Sequence, residues 1–310
     1  MPARHRLLLL AGAGAAAVAT AIATVISVAA PADASPTKVV AVGAENQYAN
    51  VISQIGGRYV AVSAIERNPN TDPHAFEASP SVAETVGNAN LVVQNGLGYD
   101  AYMNKIEAGS GNPKRRVIDV QRVLGLPDST PNPHLWYRPE TMPAVAAAVA
   151  RDLSALEPSH SSYFKANVRR FDASLRPWLD ALNAFAKRYP SLPVAVTEPV
   201  GNYLLRAAGA RIMTPWTLQS DVMNGVDPAP QDVTLERQLL SKREVKVFVY
   251  NQQVTDTLTQ TFLSVARGAK VPVVGVYETM PLGYSYQSWM LAEVRALDRA
   301  VADHVSTGRL

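Results

Sequence analysis

Two histidines of this 310-residue chain share a local pattern that suits metal binding. Asp72-Pro73-His74 and Asn132-Pro133-His134 each place a short polar residue and a proline before the imidazole, and an aromatic residue follows two positions later. Proline fixes φ and restricts the residue before it, so each imidazole is presented by a constrained loop. A capping or turn role is the alternative for either histidine alone. Two copies of one pattern favour a pair of metal ligands.

Two glutamates complete the candidate set. Glu198 follows the apolar run 193–197, and Glu278 follows the apolar run 271–276. A carboxylate at the end of a buried strand loses hydration unless a positive partner meets it, and a cation is one such partner. Capping of the next helix is the alternative for each glutamate. Taken with the two histidines, these carboxylates predict a divalent metal site with nitrogen and oxygen ligands.

Predicted strands must position these side chains. They are short apolar runs rich in β-branched residues, and segments with helical spacing separate most of them. The runs fall into two sets of four: 38–42, 59–64, 91–94 and 117–120, then 193–197, 210–213, 246–250 and 271–276. Continuous apolar runs that alternate with helices are typical of buried parallel strands. We therefore predict an α/β fold with two lobes, each a four-stranded and mainly parallel sheet flanked by helices.

A long helix is predicted between the two sets of strands. One apolar stripe recurs at steps of three or four residues, and it comprises Phe164, Val168, Phe171, Leu175, Trp178, Leu182, Phe185 and Tyr189. Pro158 is a start signal and Pro190 a stop signal, while Pro177 should kink the helix. The predicted organisation is an N-terminal lobe over 38–157, a connecting helix over 158–190 and a C-terminal lobe over 191–310.

The N-terminal segment indicates export. Arg4 and Arg6 precede the uncharged run 7–30, and Ala32-Asp33-Ala34 offers a small-x-small site. Residues 1–34 therefore read as a signal peptide, or as a retained anchor because the run is long enough to span a bilayer. The chain has no cysteine, which excludes disulfides and thiolate ligands. A formal charge of +3 without a clustered basic tract argues against nucleic acid as a partner.

Six motifs together resemble the metal-binding solute-binding proteins of zinc/manganese-type ABC importers. They are Asp72-Pro73-His74, Asn95-Gly96-Leu97-Gly98-Tyr99-Asp100, Asn132-Pro133-His134-Leu135-Trp136, Thr197-Glu198-Pro199, Tyr250-Asn251-Gln252 and Glu278-Thr279-Met280-Pro281. The resemblance implies two lobes bridged by one long rigid helix, with a single ion between them. It also implies that His74, His134 and Glu198 are three ligands, and that Glu278 matches the region of the fourth. Many zinc-specific members have a histidine-rich loop that this chain lacks, which weakens a zinc-only interpretation.

Three functions are compatible with these residues. The leading hypothesis is an extracytoplasmic, monomeric binding protein that captures Zn²⁺ or Mn²⁺, with Fe²⁺ also suited to the ligands, and delivers it to an ABC permease. The alternative is an exported zinc metallohydrolase with Glu278 as general base, although no His-Glu-x-x-His element is present. The third is a surface protein with a structural metal. Candidate partners of the ligands are Asn251, Gln252, Tyr137 and Glu77.

Overall fold

Eight strands form two sheets in the computed structural model, which describes residues 38–310. The strands are β1 (Val39–Glu45), β2 (Val60–Glu66), β3 (Leu91–Gln94), β4 (Arg116–Asp119), β5 (Pro193–Val196), β6 (Arg211–Ile212), β7 (Val247–Asn251) and β8 (Val273–Val276). Each of the eight predicted apolar runs is therefore a strand. Every pairing between these strands is parallel, as the apolar character of the runs predicted.

The two sheets have the same strand order. The first sheet runs β2-β1-β3-β4 and the second runs β6-β5-β7-β8. Open parallel sheets bind ligands at the carboxyl ends of their strands, beside the point where the strand order reverses. His74 and His134 follow β2 and β4 of the first sheet, whereas Glu198 and Glu278 follow β5 and β8 of the second. The repeated topology thus places all four residues in segments that follow the carboxyl ends of strands.

Twelve helices flank the sheets within residues 38–310. They are α1 (Asn46–Gly56), α2 (Pro80–Gly87), α3 (Ala101–Gly109), α4 (Val120–Val123), α5 (Thr141–Leu156), α6 (Ser161–Ser174), α7 (Arg176–Arg188), α8 (Asn202–Ala207), α9 (Trp216–Met223), α10 (Pro230–Ser241), α11 (Thr257–Gly268) and α12 (Tyr286–Ala302). Short 3₁₀ turns include Pro73–Ala75, which contains His74, and Leu135–Tyr137, which begins directly after His134. None of these helices has the length and apolar character needed to cross a membrane.

The connecting helix is bent. It consists of α6 and α7 with a break at Leu175, and a 3₁₀ turn over Pro158–His160 precedes it. Pro177 lies in the first turn of α7, where its missing N–H costs nothing, and the interruption falls just before it. The predicted kink is therefore confirmed. Phe164, Phe171, Leu175, Trp178, Leu182 and Phe185 of the predicted stripe are buried.

One hydrophobic core serves both sheets. It extends from Val39 and Leu91 in the first sheet to Val194 and Val276 in the second, and it includes Trp178 of α7. Two smaller clusters cover the remaining face of each sheet. Because separation of the sheets would expose this shared apolar surface, the core holds the carboxyl ends of the strands in a fixed relation. The predicted signal or anchor segment, residues 1–34, lies outside the described residues.

Candidate metal centre

Three of the four predicted ligands meet at one point. His74, His134 and Glu278 each offer one ligand atom, and these atoms lie within 4.8 Å of one another. Glu278 Oε2 is 3.2 Å from His74 Nε2 and 3.1 Å from His134 Nε2. Ligand atoms roughly 2.0–2.1 Å from a tetrahedral ion lie about 3.4 Å apart. The two separations from Glu278 Oε2 are therefore close to those expected between ligand atoms of a tetrahedral site.

Asn132 orients the buried imidazole of His134. Its Oδ1 accepts hydrogen bonds from the backbone N–H of His134 at 3.0 Å and lies 2.7 Å from His134 Nδ1. Nδ1 must carry a proton to donate to this oxygen, so Nε2 is the nitrogen that can bind an ion once it has lost the proton it shares with Glu278. Asn132 Nδ2 also donates to Pro199 O at 2.8 Å, directly after Glu198. The polar residue of the motif thus fixes the tautomer as well as the loop.

Asp72 has the matching role for the backbone of His74. Asp72 Oδ1 accepts from the His74 N–H at 2.8 Å and caps the 3₁₀ turn over Pro73–Ala75. The His74 side chain remains 26% exposed, whereas the side chains of His134 and Glu278 are fully buried. His74 is therefore more exposed to solvent than the other two residues of the group, on a loop that begins after β2.

The backbone that carries Glu278 is held on both sides by side-chain amides. We call residues 278–280 the Glu278 strap. Gln253 Oε1 accepts from the N–H groups of Glu278 and Thr279, at 2.7 and 2.8 Å. Asn46, at the start of α1, exchanges two hydrogen bonds with Met280, at 2.8 and 2.9 Å. Gln47 Nε2 donates to Glu278 O at 3.1 Å. This strap belongs to the second sheet in sequence, but it is also bonded to the first helix.

Glu198 lies next to these ligands without joining the group of three. Asn251 Nδ2 donates to Glu198 Oε1 at 3.1 Å and to Glu278 Oε1 at 2.8 Å, and so bridges the two carboxylates. Glu198 is 3% exposed, and its Oε2 has no hydrogen-bond partner among the described residues. A buried oxygen without a partner costs free energy, which a cation at this position would offset.

The electrostatics of the site follow from burial and from Glu278. Burial lowers the pKa of His134, while for His74 the hydrogen bond and charge of Glu278 outweigh burial and raise the pKa. Burial opposes ionisation of Glu278, but hydrogen bonds from His134 and His74 hold its pKa well below the usual value. Burial, reinforced by the charge of Glu278, raises the pKa of Glu198 well above the usual value. The site therefore attracts positive charge strongly.

Of the four partners predicted for the ligands, Asn251 contacts them directly. Tyr137 instead donates to Tyr277 O at 2.9 Å, one residue before Glu278. Glu77 is exposed, and Gln252 has no hydrogen bond to the four predicted ligands in the described structure. Sequence reasoning did not assign ligand-orienting roles to Asn132 and Gln253, or to Tyr99, whose hydroxyl donates to Glu278 Oε2 at 3.0 Å. The Gly96-Leu97-Gly98 turn before Tyr99 has three successive positive φ angles and was the available signal.

Comparison with known proteins identifies the family of this chain. Residues 42–300 match the ZnuA family, described as zinc-uptake complex component A, periplasmic. The chain belongs to the ZnuA family. Members of this family are substrate-binding proteins of ABC transporters and not enzymes, so the binding-protein hypothesis is confirmed at this level and the metallohydrolase alternative is not supported.

Curated relatives and solved structures of the ZnuA type agree with this assignment. The zinc-binding protein TroA of Treponema pallidum is 28% identical over 194 residues, or 59% of this chain and 60% of TroA. The manganese ABC transporter substrate-binding lipoprotein PsaA of Streptococcus mitis is 20% identical over 258 residues, or 77% of this chain and 80% of PsaA. The manganese-bound periplasmic metal-binding protein of Candidatus Liberibacter asiaticus has the same fold, with a TM-score of 0.70 at 17% identity.

The extent of these matches differs. The structural match covers 85% of this chain and all of the other protein. By contrast, the first three curated relatives are matched over 60%, 33% and 44% of their own lengths. The fold and the family are thus shared along most of the chain, and relatives named for zinc and for manganese both occur among the matches.

Proposed function

We propose that this protein captures one divalent transition metal ion, Zn²⁺ or Mn²⁺, and delivers it to the permease of an ABC importer. The observation that supports the proposal most directly is the convergence of His74, His134 and Glu278 within 4.8 Å. Glu198 is the fourth ligand, since its unpartnered Oε2 is buried beside the same group. The ion is the cargo of the protein and takes no part in a reaction.

Charge balance favours this ligand set. Two neutral imidazoles and two carboxylates neutralise a divalent cation completely, so the buried site carries no net charge once it is filled. Four protein ligands also leave no open position for substrate chemistry, which suits capture and release. Imidazole and carboxylate accept zinc, manganese and ferrous iron, and intrinsic affinity follows the order zinc above iron above manganese.

The wider arrangement is part of the same proposal. The protein acts as an exported monomer, in the periplasm or on the outer face of the cell membrane, with lobes over 38–157 and 191–310 and the connecting segment over 158–190. The ion is held in the cleft between the lobes, where the loops after β2 and β4 face those after β5 and β8. The hydrophobic core shared by the two sheets supports small relative motion during capture and release.

Metal content and delivery test the function directly. Protein purified from its own host should contain close to one equivalent of zinc, manganese or iron by elemental analysis. Titration of the metal-free protein against a competing chelator should give one tight site. When the loaded protein is added to vesicles that contain the permease of the same organism, ATP-dependent uptake of the ion should follow. A protein that binds no ion, or binds one that the permease does not take up, would refute the proposal.

Metal affinity should fall on acidification. Ligation requires deprotonated His74 and Glu198, and the pKa values of both are raised above their usual values of 6.5 and 4.5. Because protons compete with the ion for these atoms, the affinity should be highest at and above neutral pH. We expect it to be at least about tenfold weaker at pH 5.5 than at pH 7.5, as measured by chelator competition.

The control for this pH dependence is His304, which is exposed on the surface. The His304→Asn variant should have the same pH profile as the parent. A profile of the parent that is flat between pH 5.5 and 7.5 would exclude His74 and Glu198 as ligands.

A further inference from the structure

Gln253 joins two ligand-bearing segments through a single side chain. It lies two residues after the end of β7 and is 6% exposed. Its Oε1 accepts from the backbone N–H groups of Glu278 and Thr279, and its Nε2 donates to Thr71 O at 2.7 Å and to Thr279 Oγ1 at 3.2 Å. A glutamine amide has two acceptor sites and two donor hydrogens, and all four are used.

The orientation of this amide is fixed by its neighbours. The oxygen faces two backbone N–H groups, which can only donate, and the nitrogen faces the carbonyl of Thr71, which can only accept. The backbone N–H of Gln253 is itself bonded to Asn251 Oδ1 at 3.0 Å. Asn251 in turn bridges the carboxylates of Glu198 and Glu278. Gln253 is therefore a rigid part of the site.

Thr71 belongs to the loop that carries His74. We call residues 68–76 the His74 loop. Its other hydrogen bonds in the described structure are local, for example Thr71 N to Asn68 O at 3.4 Å and Phe76 N to Pro73 O at 3.1 Å. Two polar contacts join this loop to residues that follow strands of the second sheet: His74 Nε2 to Glu278, and Thr71 O to Gln253. When an ion binds between His74 and Glu278, the direct contact between these two side chains is lost. The hydrogen bond from Gln253 to Thr71 O then remains as the polar contact between the loop and the segments that follow the second sheet.

The His74 loop also borders the path to solvent. A surface cavity of about 640 Å³ is lined by Asp72, His74 and Gln253 together with residues of the segments 222–225 and 254–256. His74 is the most exposed of the four predicted ligands, since Glu198, His134 and Glu278 are almost completely buried. An ion that leaves the site on this side must displace the His74 loop, which Gln253 holds.

We propose that Gln253 is a latch that sets the rate of metal release by tying the His74 loop to the Glu278 strap. The proposal rests on the proposed function, because His74 and Glu278 must be ligands. Gln253 does not touch the ion and acts as a positioning residue. Opening of the latch lets His74 swing away with its loop, while His134 and the strap stay in place.

The latch is tested with Gln253→Glu and Gln253→Ala. The glutamate variant keeps an oxygen for the N–H groups of Glu278 and Thr279, but it replaces the donor to Thr71 O with a second oxygen. We expect both variants to release Zn²⁺ or Mn²⁺ into excess chelator about tenfold faster than the parent. Loss of one buried hydrogen bond should lower the barrier to opening of the loop enough to raise the release rate by about that factor. The added negative charge of Gln253→Glu would by itself slow the release of a cation. Faster release from this variant would therefore result from loss of the hydrogen bond to Thr71 O and not from the change in charge.

A matched control is Gln54→Ala. Gln54 also joins the two parts of the chain through both ends of its amide, in a reciprocal pair with Gln287 at 3.0 and 2.7 Å, but it lies in α1 more than two turns from Asn46. This variant should release metal at the parental rate. A release rate within twofold of the parent for both Gln253 variants would overturn the latch.

A second measurement separates failure of the latch from failure of the proposed function. Hydrogen exchange of the metal-free protein reports on amides 68–76 without any ion. These amides should exchange faster in Gln253→Glu than in the parent, while those of α1 should be unchanged. Unchanged exchange in the His74 loop would refute the tether itself. If the parent binds no metal in titration, the proposed function fails, whatever the exchange result.

Discussion

Glu278→Gln is expected to weaken binding of Zn²⁺ or Mn²⁺ by a factor on the order of 10²–10³. Glu278 Oε2 lies 3.2 and 3.1 Å from the Nε2 atoms of His74 and His134, and the residue is fully buried. Glutamine keeps the shape but removes one of the two negative charges that neutralise the cation in the proposed ligand set. A buried charge left without its partner costs about 3–5 kcal/mol. Competition with a chelator of known affinity measures the loss.

Two further variants test whether the loss of affinity is specific to the charge of Glu278. Glu77→Gln removes an exposed carboxylate from the segment just after His74 and should leave affinity unchanged. Glu278→Asp keeps the charge on a side chain one methylene shorter, so it should recover part of the lost affinity. If Glu278→Gln bound the ion within tenfold of the parent, Glu278 would not be a ligand, and the contact with the two imidazoles would be only an ion pair of the metal-free protein.

Glu278 is well placed for this role because its backbone is already ordered. The Glu278 strap has its N–H groups bonded to Gln253 and Asn46, and its carbonyls at 278 and 280 bonded to Gln47 and Asn46. No backbone needs to be ordered when the ion arrives, so little conformational entropy is lost on binding. Glu198 differs, since Asn251 restrains one of its oxygens while the other has no partner.

The fold could be predicted from local patterns because each strand is a short apolar run with clear ends. Even β6, which has only two residues at 211–212, lies inside the predicted run 210–213. The bend of the connecting helix was also predictable, since a proline inside a helical stripe removes one backbone hydrogen bond. The strand order was not predictable in this way, because it depends on contacts between segments that are distant in sequence.

In the candidate site, too, local features could be predicted from the sequence, whereas contacts between distant segments could not. The two histidine motifs were recognisable because Asp72 and Asn132 act on the backbone just two residues away. The role of Gln253 depends on Glu278, 25 residues later, and on Thr71, 182 residues earlier. Nothing in the local sequence marks such a residue, and its neighbour Gln252 was predicted in its place. Side chains that join distant segments are found only when the strand order is known.

A buried glutamate away from the candidate site should make the stability of the protein depend on pH. Glu236 in α10 is completely buried, and burial raises its pKa to about 8, an effect that the nearby hydroxyl of Thr214 offsets only in part. The folded protein therefore keeps a proton that the unfolded chain loses above pH 4.5, so stability falls as the pH rises from about 4.5 to about 8. Glu236→Gln removes this penalty. Relative to the parent, its free energy of unfolding should rise by roughly 3 kcal/mol between pH 5 and pH 7.

Urea denaturation of the metal-free proteins at pH 5, 6, 7 and 8 measures this difference, and the metal site does not enter because no ion is present. The matched control is Glu244→Gln, which changes an exposed glutamate shortly after the same helix. Its stability should follow that of the parent at every pH. Glu236→Gln should instead diverge from the parent as the pH rises, because its neutral amide has no proton to lose. Parallel curves for Glu236→Gln and the parent would mean that Glu236 is ionised in the folded protein, with a positive partner that the described structure does not show.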